Sequence, residues 1–183
     1  VKARVDLTNF YAHLAGVYFK TIRDCLREAA PNQLYLGCRF AWANEVVIRV
    51  SREYCDVVSF NIYARTPLEK KALLDPAGDS PLMIGEFHFG ALDRGQFHTG
   101  LVAVKDQKER AETYTRYVTD SLRHPNLVGT HWFQFMDSPT LGRSLDGENY
   151  QIGFVDNCDT PYAEIIAASR ALGRTMYDTR SKK

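Results

Sequence analysis

The sequence has no long apolar run and no excess of charge of either sign. Its apolar stretches, of which Val57-Val58-Ser59-Phe60 is typical, fall far short of the roughly 20 residues that span a bilayer. The 23 Lys and Arg residues nearly balance the 22 Asp and Glu residues, so the net charge is +1. No basic run exceeds two residues. We therefore expect neither a membrane nor a nucleic acid as a partner.

Several short catalytic and cofactor motifs are also absent. The chain has no G-x-S-x-G, G-x-G-x-x-G or G-x-x-x-x-G-K-[ST] sequence, which removes the usual serine-hydrolase, dinucleotide-binding and P-loop interpretations. Its five histidines include no H-x-x-x-H pair. We expect no cofactor and no metal. The minor alternatives are a metal site at His88, His98 and His131, or calcium in the acidic loop 137–159.

The cysteines and the start of the chain bear on where the protein works. The four cysteines form no C-x-x-C pair and are expected to be free, mostly buried thiols, which hint at a reducing compartment. The chain opens with Val1-Lys2-Ala3 and shows neither a start methionine nor the apolar segment of a signal peptide. We therefore interpret residue 1 as a start within a longer protein.

The hydrophobic spacing alternates between that of a helix and that of a strand along the chain. Apolar residues recur every three or four positions in residues 6–29, whereas residues 82–87 form a largely apolar run bounded by turn residues. Helices are predicted over residues 6–29, 44–54, 107–123 and 162–176 and from residue 66 onward, and strands over 34–40, 56–63, 82–87 and 127–135.

This alternation predicts an α/β fold with a parallel sheet that is covered on both faces. No repeat, low-complexity tract or linker divides the chain, so residues 1–183 are expected to form a single unit. Four βα units behind a leading helix are too few to close a barrel of eight strands. They match one half of a (β/α)8 TIM barrel.

Polar and aromatic side chains collect where the predicted strands end. In parallel α/β folds, the carboxyl ends of the strands and the loops after them form the reactive edge. An arginine, a carboxylate, amides and aromatic rings at one edge suit a polar, uncharged ligand such as a sugar. The residues at these ends are Arg39, Phe40, Trp42, Asn61, Tyr63, Glu86, His88, His131, Trp132, Gln134 and Asp137.

Glu86 is the sharpest catalytic candidate. It follows Gly85 at the end of an apolar strand, where a carboxylate loses its hydration at a high free-energy cost unless donors meet it. An acid in such a place acts as a nucleophile or as a general acid/base. The structural alternative is an ion pair between Glu86 and Arg39. For Trp42 and Trp132, a core position is favoured over a sugar-stacking platform.

Five segments together carry a resemblance to a known family. In order and spacing they are similar to the last four strand-loop units of a retaining glycoside hydrolase of the (β/α)8 clan with two catalytic glutamates. The most similar group is the β-agarases of family 50. The segments are YLGCRFA (35–41), DVVSFNIY (56–63), PLMIGEFHFGALDRG (81–95), THWFQFMDSP (130–139) and YQIGFVDNCDTPY (150–162).

The resemblance implies a place in the fold and roles for particular residues. Residues 1–183 would be the C-terminal half, strands 5–8, of a TIM-barrel domain that cleaves β-glycosidic bonds in a galactose-containing polysaccharide. Glu86 would be the nucleophile that forms the glycosyl-enzyme intermediate, and Trp132 the floor of the sugar subsite beside the cleaved bond. The residues implied to bind the ligand or orient the nucleophile are Tyr63, Arg39, Asn61, His88 and Gln134.

One element of the family pattern is missing. In that clan the acid/base glutamate follows an asparagine at the end of the fourth strand, and this chain begins after that strand. The pair Asn44-Glu45 lies instead at a predicted helix start, where Asn is a good N-cap and Glu suits the helix dipole. A retaining mechanism needs two carboxyl groups about 5–5.5 Å apart. We therefore expect the acid/base to lie outside this chain, and the chain alone to be inactive.

Other functions stay open on the sequence alone. The main alternative is a non-catalytic half-barrel that binds carbohydrate. A phosphate-binding half-barrel ranks lower because its glycines are scattered. The expected partners are an oligosaccharide or polysaccharide, and the N-terminal half of the barrel or a second copy of the chain, since unpaired strand edges invite pairing. The resemblance alone implies an extracellular or periplasmic location.

Overall fold

Helices and strands alternate along residues 2–182, which are the residues that the computed structural model describes. The predicted α/β class is confirmed. Two short 3-10 turns, Pro67–Lys70 and Asp75–Ala77, flank the third helix. In chain order the elements are α1 (Lys2–Ala29), β1 (Arg39–Phe40), α2 (Glu45–Ser51), β2 (Val58–Asn61), α3 (Lys71–Leu74), β3 (Leu82–Phe87), α4 (Gln107–Arg123), β4 (Leu127–Trp132) and α5 (Ala163–Ser181).

The four strands form one parallel sheet in the order β1-β2-β3-β4. Phe60 of β2 pairs with Phe40 on one side and with Ile84 on the other. Because the strands are parallel, their carboxyl ends meet at one edge of the sheet. An open sheet of four parallel strands with helices between them is consistent with the predicted part of a barrel.

β3 and α4 have the predicted bounds, whereas β1 is much shorter than the predicted strand 34–40. Gly37 interrupts the extended backbone with a φ of +63°. A Cβ at this position would lie 2.5 Å from Sγ of Cys55, so only glycine fits. The backbone N–H of Tyr35 donates to Oδ2 of Asp56 (2.7 Å). The backbone N–H of Asp56 donates in turn to the carbonyl of Tyr35 (2.9 Å), so this segment is held by both the backbone and the side chain of Asp56.

The helix predicted from residue 66 onward is broken into short turns. Thr66 caps it and Pro67 occupies its first turn, as the sequence indicated. The four-residue helix α3 then gives way to a 3-10 turn that contains Pro76. Proline lacks a backbone N–H and crowds the preceding turn, so a longer helix does not form.

The buried side of α4 is not the face that carries its apolar residues at helical spacing. Tyr114 and Val118 lie on that face and are only half-buried. The fully buried positions are largely polar and include Arg110, which is 0% exposed, and Tyr117, whose ring stacks on Phe87 with centroids 4.1 Å apart. α4 therefore meets the sheet through hydrogen-bonding side chains as well as through aromatic packing.

All four cysteines are free, as predicted. The prediction that they are mostly buried is wrong, because Cys25 and Cys158 are exposed and Cys38 and Cys55 are half-buried. Cys25 lies near the end of the long helix α1, whose outer side faces solvent in this chain. The apolar spacing around Cys25 therefore does not mean that its side chain is buried in this chain.

The long helix α1 carries a broad exposed apolar surface. Phe19 is its one fully buried residue among those described, at 1% exposure. The large apolar residues exposed on α1 are Val5, Leu7, Phe10, Tyr11, Leu14, Val17, Tyr18 and Leu26.

Between residues 2 and 182, no helix combines the length and the apolar character that crossing a membrane requires.

Candidate active site

The carboxyl end of β3 places Glu86 between a cation and a hydroxyl donor. Nη1 of Arg39, from β1, lies 2.6 Å from Oε1 of Glu86. The hydroxyl of Tyr63, just after β2, donates to Oε2 at 2.7 Å. The Glu86 side chain is 16% exposed. Each carboxylate oxygen therefore has one partner, and the group still reaches the surface of the sheet edge.

Tyr63 keeps its proton next to this carboxylate. Burial raises the pKa of Tyr63 well above its usual value, and the hydrogen bond to Glu86 and the negative charge of Glu86 raise it further. The phenol therefore keeps its proton at neutral pH and acts as the donor. A fixed donor to one carboxylate oxygen orients the other oxygen.

Gly85 allows the side chains from β1 and β2 to cross β3 beside Glu86. A Cβ at Gly85 would lie 2.6 Å from Cδ of Arg39 and 3.1 Å from Oδ1 of Asn61. Oδ1 of Asn61 is buried and has no hydrogen-bond partner among the residues described. The glycine thus makes room for the arginine that pairs with Glu86.

His88 lies beneath the site rather than on its surface. It is 1% exposed, and its ring centroid is 4.6 Å from that of Tyr63. Its Nε2 accepts a hydrogen bond from the backbone N–H of Leu101 (2.8 Å). Burial lowers the pKa of His88 to about 4, although the backbone of Phe133 opposes the shift. The ring is therefore neutral near pH 7.

Trp132 belongs to an aromatic cluster between the sheet and α4. The indole Nε1–H donates to the carbonyl of Ile152 (2.8 Å), and its ring is surrounded by other rings within 6 Å. Trp132 is half-buried, and these contacts favour the core position. For Trp42 the predicted core position is wrong, because its side chain is 99% exposed. The ring neighbours of Trp132 are Phe87, Phe89, Tyr114 and Phe154.

The remaining strand-end residues have local partners. Gln134 is half-buried, and its amide lies 3.5 Å from Oγ of Ser138. Asp137 is 2% exposed and accepts from the hydroxyl of Tyr162 and from the backbone N–H of Gly153, both at 2.6 Å. Asp137 therefore fastens the loop after β4. Within residues 2–182, no group of three or more His, Cys, Asp or Glu side chains is placed to hold a metal ion.

Asn44 caps α2, as the sequence predicted. Its Oδ1 accepts from the backbone N–H of Val47 (3.1 Å). Glu45 pairs with Arg49 one turn later along the same helix. Both side chains therefore have the local partners that a helix start provides, and neither points to a catalytic role.

Arg110 is a buried residue that sequence reasoning missed. Its guanidinium donates to the carbonyls of Phe89 (2.8 Å) and Gly153 (2.6 Å) and to Oε1 of Gln107 (3.0 Å). Burial lowers its pKa to about 10, so it stays charged at neutral pH. The bonds tie the loop after β3 to the loop after β4. The sequence feature that could have indicated its burial is that Arg110 lies two helical turns before Tyr117, on the same face of α4.

Glu148 is a second carboxyl group near the site. It lies 3.1 Å from Nη2 of Arg143, whose guanidinium is 5.6 Å from the ring centroid of Phe133. Burial raises the pKa of Glu148; Arg143 opposes the shift, and the charges of Asp146 and Glu86 add to it. The loop after β4 therefore brings an acidic side chain within electrostatic reach of Glu86. The sequence offered this residue only as part of an acidic loop.

The chain is similar to β-agarases over nearly its whole length. A scan against protein-family models finds no match. The chain is 42% identical over 181 residues to β-agarase B of Vibrio sp. (strain JT0107), which covers 97% of this chain and 19% of that protein. It is 44% identical to the agarase AgWH50C, with a TM-score of 0.91 over 96% of this chain and 27% of that chain.

A second solved structure, described as an exo-β-agarase, is 42% identical with a TM-score of 0.93, covering 98% of this chain and 25% of that chain. The chain therefore spans about a fifth to a quarter of the length of the relatives that it matches. Identity and fold agree over nearly the whole chain. We conclude that residues 1–183 form a β-agarase-like segment, similar in sequence and in fold to part of the family 50 agarases.

Proposed function

We propose that this chain supplies the nucleophile of a retaining glycoside hydrolase that cleaves β-glycosidic bonds in agar-type, galactose-containing polysaccharides. The observation that carries the proposal is the arrangement of Glu86 at the carboxyl edge of a parallel sheet, with Arg39 at 2.6 Å and the Tyr63 hydroxyl at 2.7 Å. The names of the agarases to which the chain is similar support the substrate class.

The chemistry assigned to Glu86 proceeds in two displacements. A carboxylate oxygen of Glu86 attacks the anomeric carbon, and the bond from that carbon to the leaving oxygen breaks while an acid gives the leaving oxygen a proton. Water then attacks the same carbon, the conjugate base takes the proton of the water, and the bond to Glu86 breaks. Arg39 and Tyr63 orient the Glu86 carboxylate for the first attack and contact its oxygens again when the bond to the sugar breaks.

The acid/base of this reaction is proposed to lie outside residues 1–183, which would form the C-terminal half of a TIM-barrel catalytic domain. The relatives are four to five times longer than their match to this chain. The exposed apolar side of α1 supports further structure beside it. A cleft of about 500 Å³ lies between α4, α5 and the outer edge of β4 and is lined mainly by apolar side chains. It supports further structure beside β4, at the opposite edge of the sheet from β1.

The predicted ligand residues other than His88 divide into two groups by position. Arg39, Asn61 and Tyr63 surround Glu86, and we propose that their free polar atoms contact the sugar next to the cleaved bond. Gln134 lines an open cleft of about 770 Å³ after β4, together with the exposed ring of Phe135. A polar amide beside an exposed ring suits a neighbouring sugar unit.

The test compares two polypeptides on agarose oligosaccharides. The complete reading frame that encodes residues 1–183 is expected to hydrolyse them, with the first product released in the anomeric configuration of the substrate by NMR. Residues 1–183 alone are expected to be inactive. Inversion would contradict the retaining mechanism, and hydrolysis by residues 1–183 alone would contradict an external acid/base. Binding without cleavage by the complete protein would favour the non-catalytic module.

Substituting Gly85 is expected to disable the site without unfolding the sheet. In Gly85→Ala the new methyl group displaces Arg39 from Glu86, so turnover should fall about ten- to a hundredfold. The matched control is Gly129→Ala on the neighbouring strand β4, whose Cβ would meet only the flexible end of Met83 at 3.4 Å. Equal turnover in the two variants would show that the position of Arg39 does not matter.

A further inference from the structure

The loop after β3 folds back over His88 and is fixed at several points. The backbone N–H of Gly90 donates to the carbonyl of Val102 (3.1 Å), and that of Val104 donates to the carbonyl of Gly90 (3.0 Å). The backbone N–H of Gln151 donates to the carbonyl of His98 (2.8 Å). Residues 98–104 are therefore held to both the end of β3 and the loop after β4.

The imidazole of His88 is locked in this arrangement. Its Nε2 accepts from the backbone N–H of Leu101 at 2.8 Å. A Cβ at Gly100, whose φ is +75°, would lie 2.6 Å from the same nitrogen, so the loop approaches the ring as closely as a glycine permits. The rings of Phe133 and Tyr150 pack at 6.0 and 5.9 Å. Rotation of the imidazole would break these contacts.

The opposite side of the imidazole meets Tyr63. The two ring centroids are 4.6 Å apart at an angle of 57°, and the Tyr63 hydroxyl donates to Oε2 of Glu86. Tyr63 comes from the end of β2 and has limited freedom at two side-chain torsions. A rigid ring against its side therefore decides where its hydroxyl points.

We propose that His88 is a positioning residue, which holds the Tyr63 phenol so that its O–H meets Glu86, and which does not itself contact the sugar. At 1% exposure, its ring offers a ligand almost no surface. The assignment rests on the proposed function, in which Glu86 is the nucleophile. It differs from the role implied by the family resemblance, which placed His88 among the ligand or nucleophile-orienting residues without separating the two.

The test is a double-mutant cycle of His88→Gln and Tyr63→Phe in the complete reading frame. His88→Gln keeps an acceptor for the Leu101 N–H and removes the ring beside Tyr63. In the wild-type background kcat should fall roughly tenfold, with KM changed by less than about twofold. In the Tyr63→Phe background, where no hydroxyl remains to be aimed, the same substitution should change kcat by less than about twofold. Arg116→Gln, on the exposed side of α4, is the surface control.

The outcomes distinguish a failure of the role proposed for His88 from a failure of the proposed hydrolase activity. An equal fold-loss in both backgrounds would mean that His88 acts only through general stability and would overturn the proposal, as would an unchanged kcat in the single variant. If His88→Gln unfolds, His88→Leu replaces it, since leucine fills much of the same buried space without presenting a ring to Tyr63, and the same non-additive pattern is expected. A wild-type protein without hydrolase activity would refute the proposed function instead.

Discussion

Glu86→Gln is expected to lower turnover by about three orders of magnitude or more, while substrate binding stays within a few-fold. The amide keeps the shape of the side chain and accepts the Tyr63 hydrogen bond, but it cannot form the glycosyl-enzyme bond. The check is to measure turnover and substrate affinity on the same preparation of the complete protein.

Melting temperature on that variant separates a catalytic role from a structural one. The ion pair of Glu86 with Arg39 is partly solvated, because the Arg39 side chain is 57% exposed, and such pairs contribute little to stability. We expect Glu86→Gln to melt within a few degrees of the wild type. Glu45→Gln, which breaks an exposed pair with Arg49, is the matched control and should keep full turnover. Near-normal turnover of Glu86→Gln would end the nucleophile assignment.

Trp132→Ala is expected to cost about 3 kcal/mol of unfolding free energy, because it removes the centre of an aromatic cluster. Its indole fills the space between the sheet and α4 and satisfies the carbonyl of Ile152. The matched control is Trp42→Ala, which removes the same side chain from a position that is 99% exposed. That control should change the free energy by less than about 0.5 kcal/mol. Denaturant unfolding of the two variants checks the difference.

The opposite pattern would restore the sugar platform that the family resemblance implies for Trp132. A Trp132→Ala variant that unfolds like the wild type but binds oligosaccharide several-fold to a hundredfold less tightly would show that the ring stacks on sugar. Unchanged stability together with unchanged binding would contradict both interpretations of the residue.

Local sequence patterns predicted the α/β class, β3 and α4, because β3 is an apolar run bounded by turn residues and α4 carries apolar residues at helical spacing. They failed where a single backbone position decides the outcome. Gly37 turns the chain within the predicted strand 34–40. This effect does not appear in hydrophobic periodicity, since it depends on the dihedral angles that one residue allows.

The sequence placed Glu86, Arg39 and Tyr63 at strand ends, and parallel topology brings strand ends together, so their meeting was predictable. The burial of Arg110 and His88 was not. A charged or titratable side chain has the same local pattern on a solvated face and in a hydrogen-bonded core. For α1 the error was the reverse, because apolar residues at helical spacing are exposed on its outer side. Apolar spacing predicts a surface that packs against other residues, and it does not show whether those residues belong to this chain.

Azide rescue of Glu86→Ala in the complete protein tests the central claim most directly. Removing the carboxylate opens space in which azide can attack the anomeric carbon of an activated aryl β-glycoside from the side that Glu86 occupied. If Glu86 is the nucleophile, azide restores turnover and the product is a glycosyl azide of inverted configuration. A glycosyl azide of retained configuration, or turnover that needs no azide, would contradict the account.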